Sequence, residues 1–151
     1  ELRSRGIKTY VVGLGAGARS YTASLHYSSE YAVARLDTIN IIDNYLALDE
    51  ARFAQAEHGY VLDDAEQRRR YVIQSLLTEP GLDRDAYAAR FGSRCEADLP
   101  QLAELHALEL VEENGPLLRL NDRGYSYADT IGPWLASATV RALMAEGGHA
   151  C

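Results

Sequence analysis

Apolar and polar positions in the first sixty residues change their period several times. A β-branched run over residues 7–12 ends at a glycine and predicts a short strand. Residues 18–34 are rich in serine and tyrosine without a clear period, so we interpret them as a loop. Apolar residues then recur at three- and four-residue steps over residues 36–48, which predicts an amphipathic helix. A short second helix is expected over residues 49–57.

A regular pattern follows over residues 61–146 and predicts three helices, a hairpin and a final helical region. The first helix is predicted between Asp63 and Pro80-Gly81, the second between Asp83 or Asp85 and Gly92, and the third from near Pro100. The hairpin turn is predicted at Asn114-Gly115, and the final helical region is interrupted at Gly132-Pro133. Two apolar pairs each share a face of the first helix, Val72 with Leu76 and Ile73 with Leu77. The other side chains expected to anchor the helices or point inward are Tyr87, Phe91, Leu102, Leu105, Leu108, Ala136, Val140, Leu143 and Met144. Three helices followed by a hairpin are the order of a winged helix.

Charge argues against nucleic acid as the partner of this winged-helix pattern. The formal net charge is −7, and residues 96–113, which include the third helix, contain six acidic residues and no Lys or Arg. Affinity for DNA comes mainly from phosphates neutralised by Lys and Arg, so a duplex would repel this helix. The one basic run, Arg68-Arg69-Arg70, is interpreted as a solvated helix face or a set of internal salt bridges.

Composition also limits the cellular compartment and the partners that we expect for the protein. No apolar run approaches the roughly 20 residues that span a bilayer, so we expect no membrane partner. The two cysteines, Cys95 and Cys151, are too few for a disulfide framework or a metal cluster. A reducing cytoplasm is the predicted location.

Glycines at positions 13, 15 and 17 follow the predicted first strand. Glycine adopts positive φ at little cost and lets the backbone approach a ligand closely, so this segment is a candidate ligand-lined loop. The alternative is a tight structural turn. The spacing does not fit the dinucleotide fingerprint, which needs Gly-x-Gly-x-x-Gly at a helix start, and no Gly-Lys-Ser/Thr follows for a phosphate loop.

Other reactive residue types are dispersed. The four histidines, His26, His58, His106 and His149, have no spacing that brings two of them to one metal, so we interpret each as a surface or packing residue. Cys95 follows Arg94, but a packing role is favoured for it. The tyrosines within residues 21–31 either face a planar ligand or pack the loop.

Three groups of motifs carry a resemblance to a known family. The first is Val12-Gly-Leu-Gly-Ala-Gly-Ala-Arg-Ser-Tyr21, followed by Leu25-His-Tyr-Ser28 and Glu30-Tyr-Ala-Val33. The others are Glu66-Gln-Arg-Arg-Arg-Tyr-Val-Ile-Gln-Ser-Leu76 with Tyr87-Ala-Ala-Arg-Phe-Gly92, and Ile131-Gly-Pro-Trp-Leu135. In order and spacing they resemble the C-terminal part of coproporphyrinogen III oxidase-like radical S-adenosylmethionine proteins over residues 7–146.

The resemblance implies an oxidoreductase whose barrel holds a [4Fe–4S] cluster and cleaves S-adenosylmethionine to a 5′-deoxyadenosyl radical. It places Gly13, Gly15 and Gly17 at the S-adenosylmethionine side, with Arg19 at the end of the contact stretch. Arg19 replaces an apolar residue of some members, which suits an anionic substrate group. The implied substrate is a tetrapyrrole or another anionic metabolite. The cluster motif Cys-x-x-x-Cys-x-x-Cys is missing, so this chain should be inactive alone.

The implied architecture is an α/β fragment of a larger protein, since the chain begins at Glu1 on the way into a strand. Residues 1–34 would form the last strand and glycine loop of a partial (β/α) barrel, packed on an upstream barrel of the same chain. Residues 35–60 would form a helical connector, residues 61–146 the winged-helix-like domain that shapes the substrate side, and residues 147–151 a disordered tail. The alternative is a non-catalytic winged-helix module that binds another protein.

Overall fold

The computed structural model of the chain describes residues 11–29, 35–55 and 58–147, and the side chains of these residues up to 143. Small sheets and several helices alternate along it, so the fold is a mixture of α and β structure. The chain divides into two compact units, residues 1–63 with 143–151 and residues 64–142.

The first unit contains a three-stranded antiparallel sheet and one regular helix. The strands are β1 (Arg19–Tyr21), β2 (Leu25–Ser28) and β3 (His58–Val61), and they pair in the order β1-β2-β3. Helix α1 (Arg35–Leu46) and a 3₁₀ helix (Glu50–Ala54) lie between β2 and β3 in sequence. Helices are found where the sequence predicts them within residues 36–57, but the predicted helical connector of residues 35–60 also contains the start of strand β3, at His58.

The interpretation of residues 18–34 as a loop is wrong for its described part, since β1 and β2 lie there. These strands carry serine, histidine and tyrosine rather than alternating apolar residues, so periodicity does not reveal them; cross-strand pairing holds them instead. Of the predicted strand at residues 7–12, Val11 forms a single bridge to Tyr21. Residues 7–10 and 30–34 lie outside the described part.

The second unit contains seven helical segments and a second three-stranded sheet among its described residues. The sheet pairs β4 (Leu82–Asp83), β6 (Leu117–Leu120) and β5 (Val111–Asn114) in the order β4-β6-β5. The helices are α2 (Asp64–Leu76), α3 (Arg84–Phe91), α4 (Cys95–Asp98), α5 (Leu102–Ala107), α6 (Asp122–Tyr125), α7 (Ala128–Leu135) and α8 (Ala138–Gly147), the last of which extends beyond the unit.

A continuous hydrophobic core lies within the second unit. Tyr87 of α3 is fully buried, as predicted. Of the two apolar pairs of α2, the structure buries Val72 and Leu76 completely, whereas Ile73 and Leu77 are partly buried against the core. The rest of the core consists of Leu82, Cys95, Leu99, Leu102, Leu105, Leu110, Leu118, Leu120, Ile131 and Leu135. Leu108 and Leu143, predicted to point inward, are instead 48% and 44% exposed.

Local signals fix several helix ends in this unit. Asp83 caps α3 through its side chain, which accepts from the amides of Asp85 and Ala86 at 3.0 Å each. Gly92 ends α3 in the left-handed conformation with φ 70°. Helix α7 runs through Pro133 and ends at Leu135, so the predicted interruption at Gly132-Pro133 is wrong.

The hairpin of β5 and β6 forms where it is predicted, but its turn is shifted by one residue. Asn114 pairs with Leu117, so the two central residues are Gly115 and Pro116 rather than Asn114 and Gly115. Gly115 has φ 59°, and proline holds φ near −65°, which together are typical of a type II′ turn. Proline at the second position therefore excludes a turn that needs positive φ at both central residues.

Candidate functional site

The glycine segment forms a tight loop between Val11 and β1. Val11 exchanges two backbone hydrogen bonds with Tyr21, at 2.7 and 3.0 Å, so the loop starts and returns at the same point. Gly15 and Gly17 have φ of 114° and 74°, a region that favours glycine. The Ala18 amide donates to the Gly15 carbonyl at 3.1 Å and closes the loop.

Three hydroxyl groups hold this loop in place. The Gly13 amide donates to the Ser20 hydroxyl at 3.0 Å, and Ser20 is only 1% exposed. The Gly15 amide donates to the Tyr45 hydroxyl on α1 at 2.9 Å, and the Ser29 hydroxyl donates to the Gly15 carbonyl at 3.0 Å. Sequence reasoning missed these serines and interpreted Tyr45 only as part of an apolar helix face. The hydroxyl residues close to a glycine loop were the available signal.

The structure brings the four predicted site residues together in different roles. A Cβ at Gly13 would lie 2.6 Å from the Arg19 carbonyl oxygen, so glycine is required there by the loop itself. A Cβ at Gly15 would have no atom within 4 Å, which leaves open space beside this backbone. Gly17 lies at the end of the loop, and Arg19 begins β1 with an exposed side chain. An approach to the backbone is therefore open at Gly15 rather than at Gly13.

The described residues provide no ligand set for an iron–sulfur cluster or another metal. No group of three or more His, Cys, Asp or Glu side chains converges within the described part of the chain. Cys95 is 1% exposed, and burial raises the pKa of its thiol to about 11, so it stays protonated at neutral pH. Cys151 lies outside the described residues.

A hydrogen-bond network around Asp98 joins three helices of the second unit. The Asp98 carboxylate accepts from the Tyr87 hydroxyl at 2.6 Å, from the Arg68 guanidinium at 3.0 Å, and from the Ser93 hydroxyl. Hydrogen bonds from Ser93 and Tyr87, together with Arg68, lower the pKa of Asp98. Burial is the largest cause that raises the pKa of Tyr87. The network has a structural role, and no local pattern in the sequence indicates its partners.

Arginines of the second unit are largely engaged within it. Arg68 pairs with Asp98, so the interpretation of the basic run as internal salt bridges is confirmed for this residue; Arg69 instead donates to the Leu135 carbonyl at 2.5 Å. Arg84 forms a bidentate pair with Glu113 at 3.0 and 3.2 Å beside a groove of ≈ 550 Å³. This groove carries both signs of charge, and both of its arginines, Arg84 and Arg94, are already paired with glutamates.

The chain is similar to known proteins in two respects. Residues 62–127 match the family described as the HemN C-terminal domain. An oxygen-independent coproporphyrinogen III oxidase of Cereibacter sphaeroides is 32% identical over 102 residues, which cover 60% of this chain and 22% of that protein. The chain therefore resembles the C-terminal part of HemN-like proteins. The predicted resemblance is thereby confirmed.

The HemN-like match spans about a fifth of the curated relative. No solved structure matches the chain. Among the described helices, none is long and apolar enough to cross a membrane.

Proposed function

We propose that this chain is the C-terminal part of a radical S-adenosylmethionine oxidoreductase that acts on a tetrapyrrole or another anionic metabolite. The observation that carries the proposal is the 32% identity to an oxygen-independent coproporphyrinogen III oxidase. The match of residues 62–127 to the HemN C-terminal domain supports it. In this proposal residues 1–34 complete a (β/α) barrel, and residues 61–146 form a winged-helix-like domain that shapes the substrate side in the cytoplasm.

The described residues do not fit a [4Fe–4S] cluster, so the cluster would be held by an upstream barrel of the same protein. When bound, it would supply the electron that cleaves S-adenosylmethionine to the 5′-deoxyadenosyl radical. The glycine loop is a better candidate for binding S-adenosylmethionine than the described residues are for binding the cluster. Gly15 has open space beside its backbone, and the exposed Arg19 lies four residues further on. Gly13 and Gly17 would set the loop shape that presents Gly15.

The test uses the protein with its upstream barrel, reconstituted with iron and sulfide under reducing conditions. We expect a [4Fe–4S] absorbance and formation of 5′-deoxyadenosine. Gly15→Ala should weaken S-adenosylmethionine binding, because a Cβ would occupy the open approach and strain the backbone. The matched control is Gly92→Ala, which also has positive φ and open space but lies in the second unit. A protein that binds no cluster and forms no 5′-deoxyadenosine would overturn the proposal.

A second candidate function is a non-catalytic module that binds another protein. The observation that favours it is the continuous core of the second unit, which is made entirely of residues from 72 to 135. This candidate predicts that removing residues 1–34 leaves binding of the partner protein in a cell unchanged, whereas the proposed enzyme requires these residues.

A further inference from the structure

The strand register of the first unit places six polar or aromatic side chains on one face of its sheet. Residues directly opposite each other in antiparallel strands point to the same face, and residues two apart on one strand do so as well. Arg19 is opposite Ser28, which is opposite His58; Tyr21 is opposite His26, which is opposite Tyr60. We define this polar–aromatic face by its members, which are Arg19, Tyr21, His26, Ser28, His58 and Tyr60.

The six side chains form two rows that differ in chemistry. The first row, Arg19 with Ser28 and His58, offers hydrogen-bond donors and a permanent cation. The second row consists of rings, Tyr21 with His26 and Tyr60, and the rings of Tyr21 and His26 stack with centroids 4.5 Å apart and planes at 19°. The rows are two residues apart along each strand, a separation of about 6.5 Å.

The opposite face of the same sheet lacks this chemistry. It carries Ser20, Leu25, Tyr27, Gly59 and Val61, with no charged side chain. Ser20 there is 1% exposed and bonded to the glycine loop. The chain has 22 acidic and 15 basic Lys and Arg residues, yet none of the six residues of the polar–aromatic face is acidic. This face is therefore positive in an otherwise acidic chain.

Solvent reaches the cationic row. Arg19 and His58 are exposed, and the other four members are partly exposed. A shallow depression of ≈ 190 Å³ is lined by His26, Tyr27, Ser28, His58, Gly59 and Tyr60. This volume is smaller than the pockets that enclose drug-sized ligands, so a ligand would lie on the face instead of being enclosed.

We propose that the polar–aromatic face binds a planar ring that carries an anionic group about 6.5 Å from the ring. The ring packs against the edges of the row of Tyr21, His26 and Tyr60, because the faces of Tyr21 and His26 are already stacked on each other. The carboxylate or phosphate accepts hydrogen bonds from Arg19, Ser28 and His58. The proposal needs neither an iron–sulfur cluster nor S-adenosylmethionine, so it stands or fails separately from the proposed function.

The experiment titrates the 151-residue chain with two pairs of probes. Coproporphyrin III is a planar tetracarboxylate, and its tetramethyl ester has the same ring without the charges. Adenosine monophosphate and adenosine form the corresponding pair for phosphate. Binding is followed by the porphyrin absorbance band or by calorimetry. We expect at least one anion to bind about fivefold or more tightly than its uncharged partner, the effect of an exposed charge-assisted contact.

Matched variants locate the binding on the sheet. Arg19→Gln should weaken binding of the anionic probe about fivefold. Arg35→Gln, the same change at an exposed residue of α1, should leave that binding unchanged. Tyr60→Leu should weaken the binding of both members of a pair, and Tyr127→Leu, at an exposed tyrosine of the second unit, is its control. Far-ultraviolet circular dichroism confirms that each variant is folded.

The possible outcomes distinguish a carboxylate ligand from a phosphate ligand, and this proposal from the proposed function. Preference for the porphyrin identifies a carboxylate ligand, and preference for the nucleotide identifies a phosphate ligand. Equal affinity for charged and uncharged probes, or equal losses in Arg19→Gln and Arg35→Gln, would overturn the proposal. A chain that binds the anion while the longer protein never cleaves S-adenosylmethionine would retain this site and lose only the proposed function.

Discussion

Helices α1 and α2 have nearly the same length, 12 and 13 residues, but only α2 has a core to pack on. Val72 and Leu76 of α2 are 0% exposed, whereas α1 has no buried residue and its Leu46 is 75% exposed. Both helices have the apolar spacing that predicts an amphipathic helix. The comparison shows that periodicity identifies a helix and its apolar stripe, but burial depends on what the rest of the fold brings to that stripe.

The largest expected difference is in the response to the same leucine truncation. Leu76→Ala should lower the free energy of unfolding of the second unit by about 2–5 kcal/mol, because it opens a cavity in a closed core. Leu46→Ala should stay within about 0.5 kcal/mol, because its side chain is already largely in water. Urea unfolding followed by Trp134 fluorescence, with hydrogen exchange in both helices, measures the two effects. Equal losses would show that the first unit has a core of its own.

A second prediction concerns acid, which should act on the second unit through Asp98. Its pKa is lowered by hydrogen bonds from Ser93 and Tyr87 and by Arg68. A lowered native pKa means that its stabilisation is complete above the unfolded-state value of about 3.9 and is lost as the pH falls through the native pKa. Asp98→Asn should cost about 1–3 kcal/mol at pH 7 and flatten the loss of stability below about pH 4.

The matched control for this acid effect is Asp129→Asn, the same change at an exposed carboxylate of α7. Stability is measured from pH 7 to pH 2 by urea unfolding with Trp134 fluorescence. The control should keep the acid dependence of the unchanged chain. If Asp98→Asn keeps that dependence as well, the network around Asp98 does not control the acid response.

The smallest expected effect lies in the first unit, at the bond between α1 and the glycine loop. Tyr45→Phe removes the hydroxyl that accepts from the Gly15 amide at 2.9 Å and should cost about 0.5–1.5 kcal/mol. The Gly15 amide should exchange with solvent faster, while the second unit is unaffected. Tyr127→Phe, at an exposed tyrosine of the second unit, is the control. Unchanged exchange at Gly15 would mean that Ser20 and Ser29 alone hold the loop.

Sequence reasoning succeeded where one local signal decides the structure. The end of α3 at Gly92 and its start at Asp83 or Asp85 follow from a few neighbouring residues, as do the two candidate apolar pairs of α2, of which the structure buries Val72 and Leu76. It failed where distant residues decide. Strands β1 and β2 have no apolar alternation, and their pairing with β3 closes a sheet across 29 residues between Ser28 and His58. At Gly115, one residue of register changes the turn type, because Pro116 restricts the second position.

The candidate site also has some features that local residues determine and others that distant residues determine. The glycines were visible in sequence because their chemistry is local, and Arg19 came with them from the resemblance. The hydroxyls of Ser20, Ser29 and Tyr45 reach the loop only through tertiary structure. The polar–aromatic face likewise depends on strand register, because a shift of one residue would send Tyr60 to the opposite side of the sheet.

Strand β5 lies at one end of the second sheet, and it carries Glu112 and Glu113 in succession. A terminal strand has unpaired backbone groups that another chain can join, and charged side chains there discourage such pairing. Arg119 and Arg84 hold these two carboxylates at the hairpin from within the same unit. Charged side chains on this strand therefore disfavour self-association of the chain through this edge of the sheet.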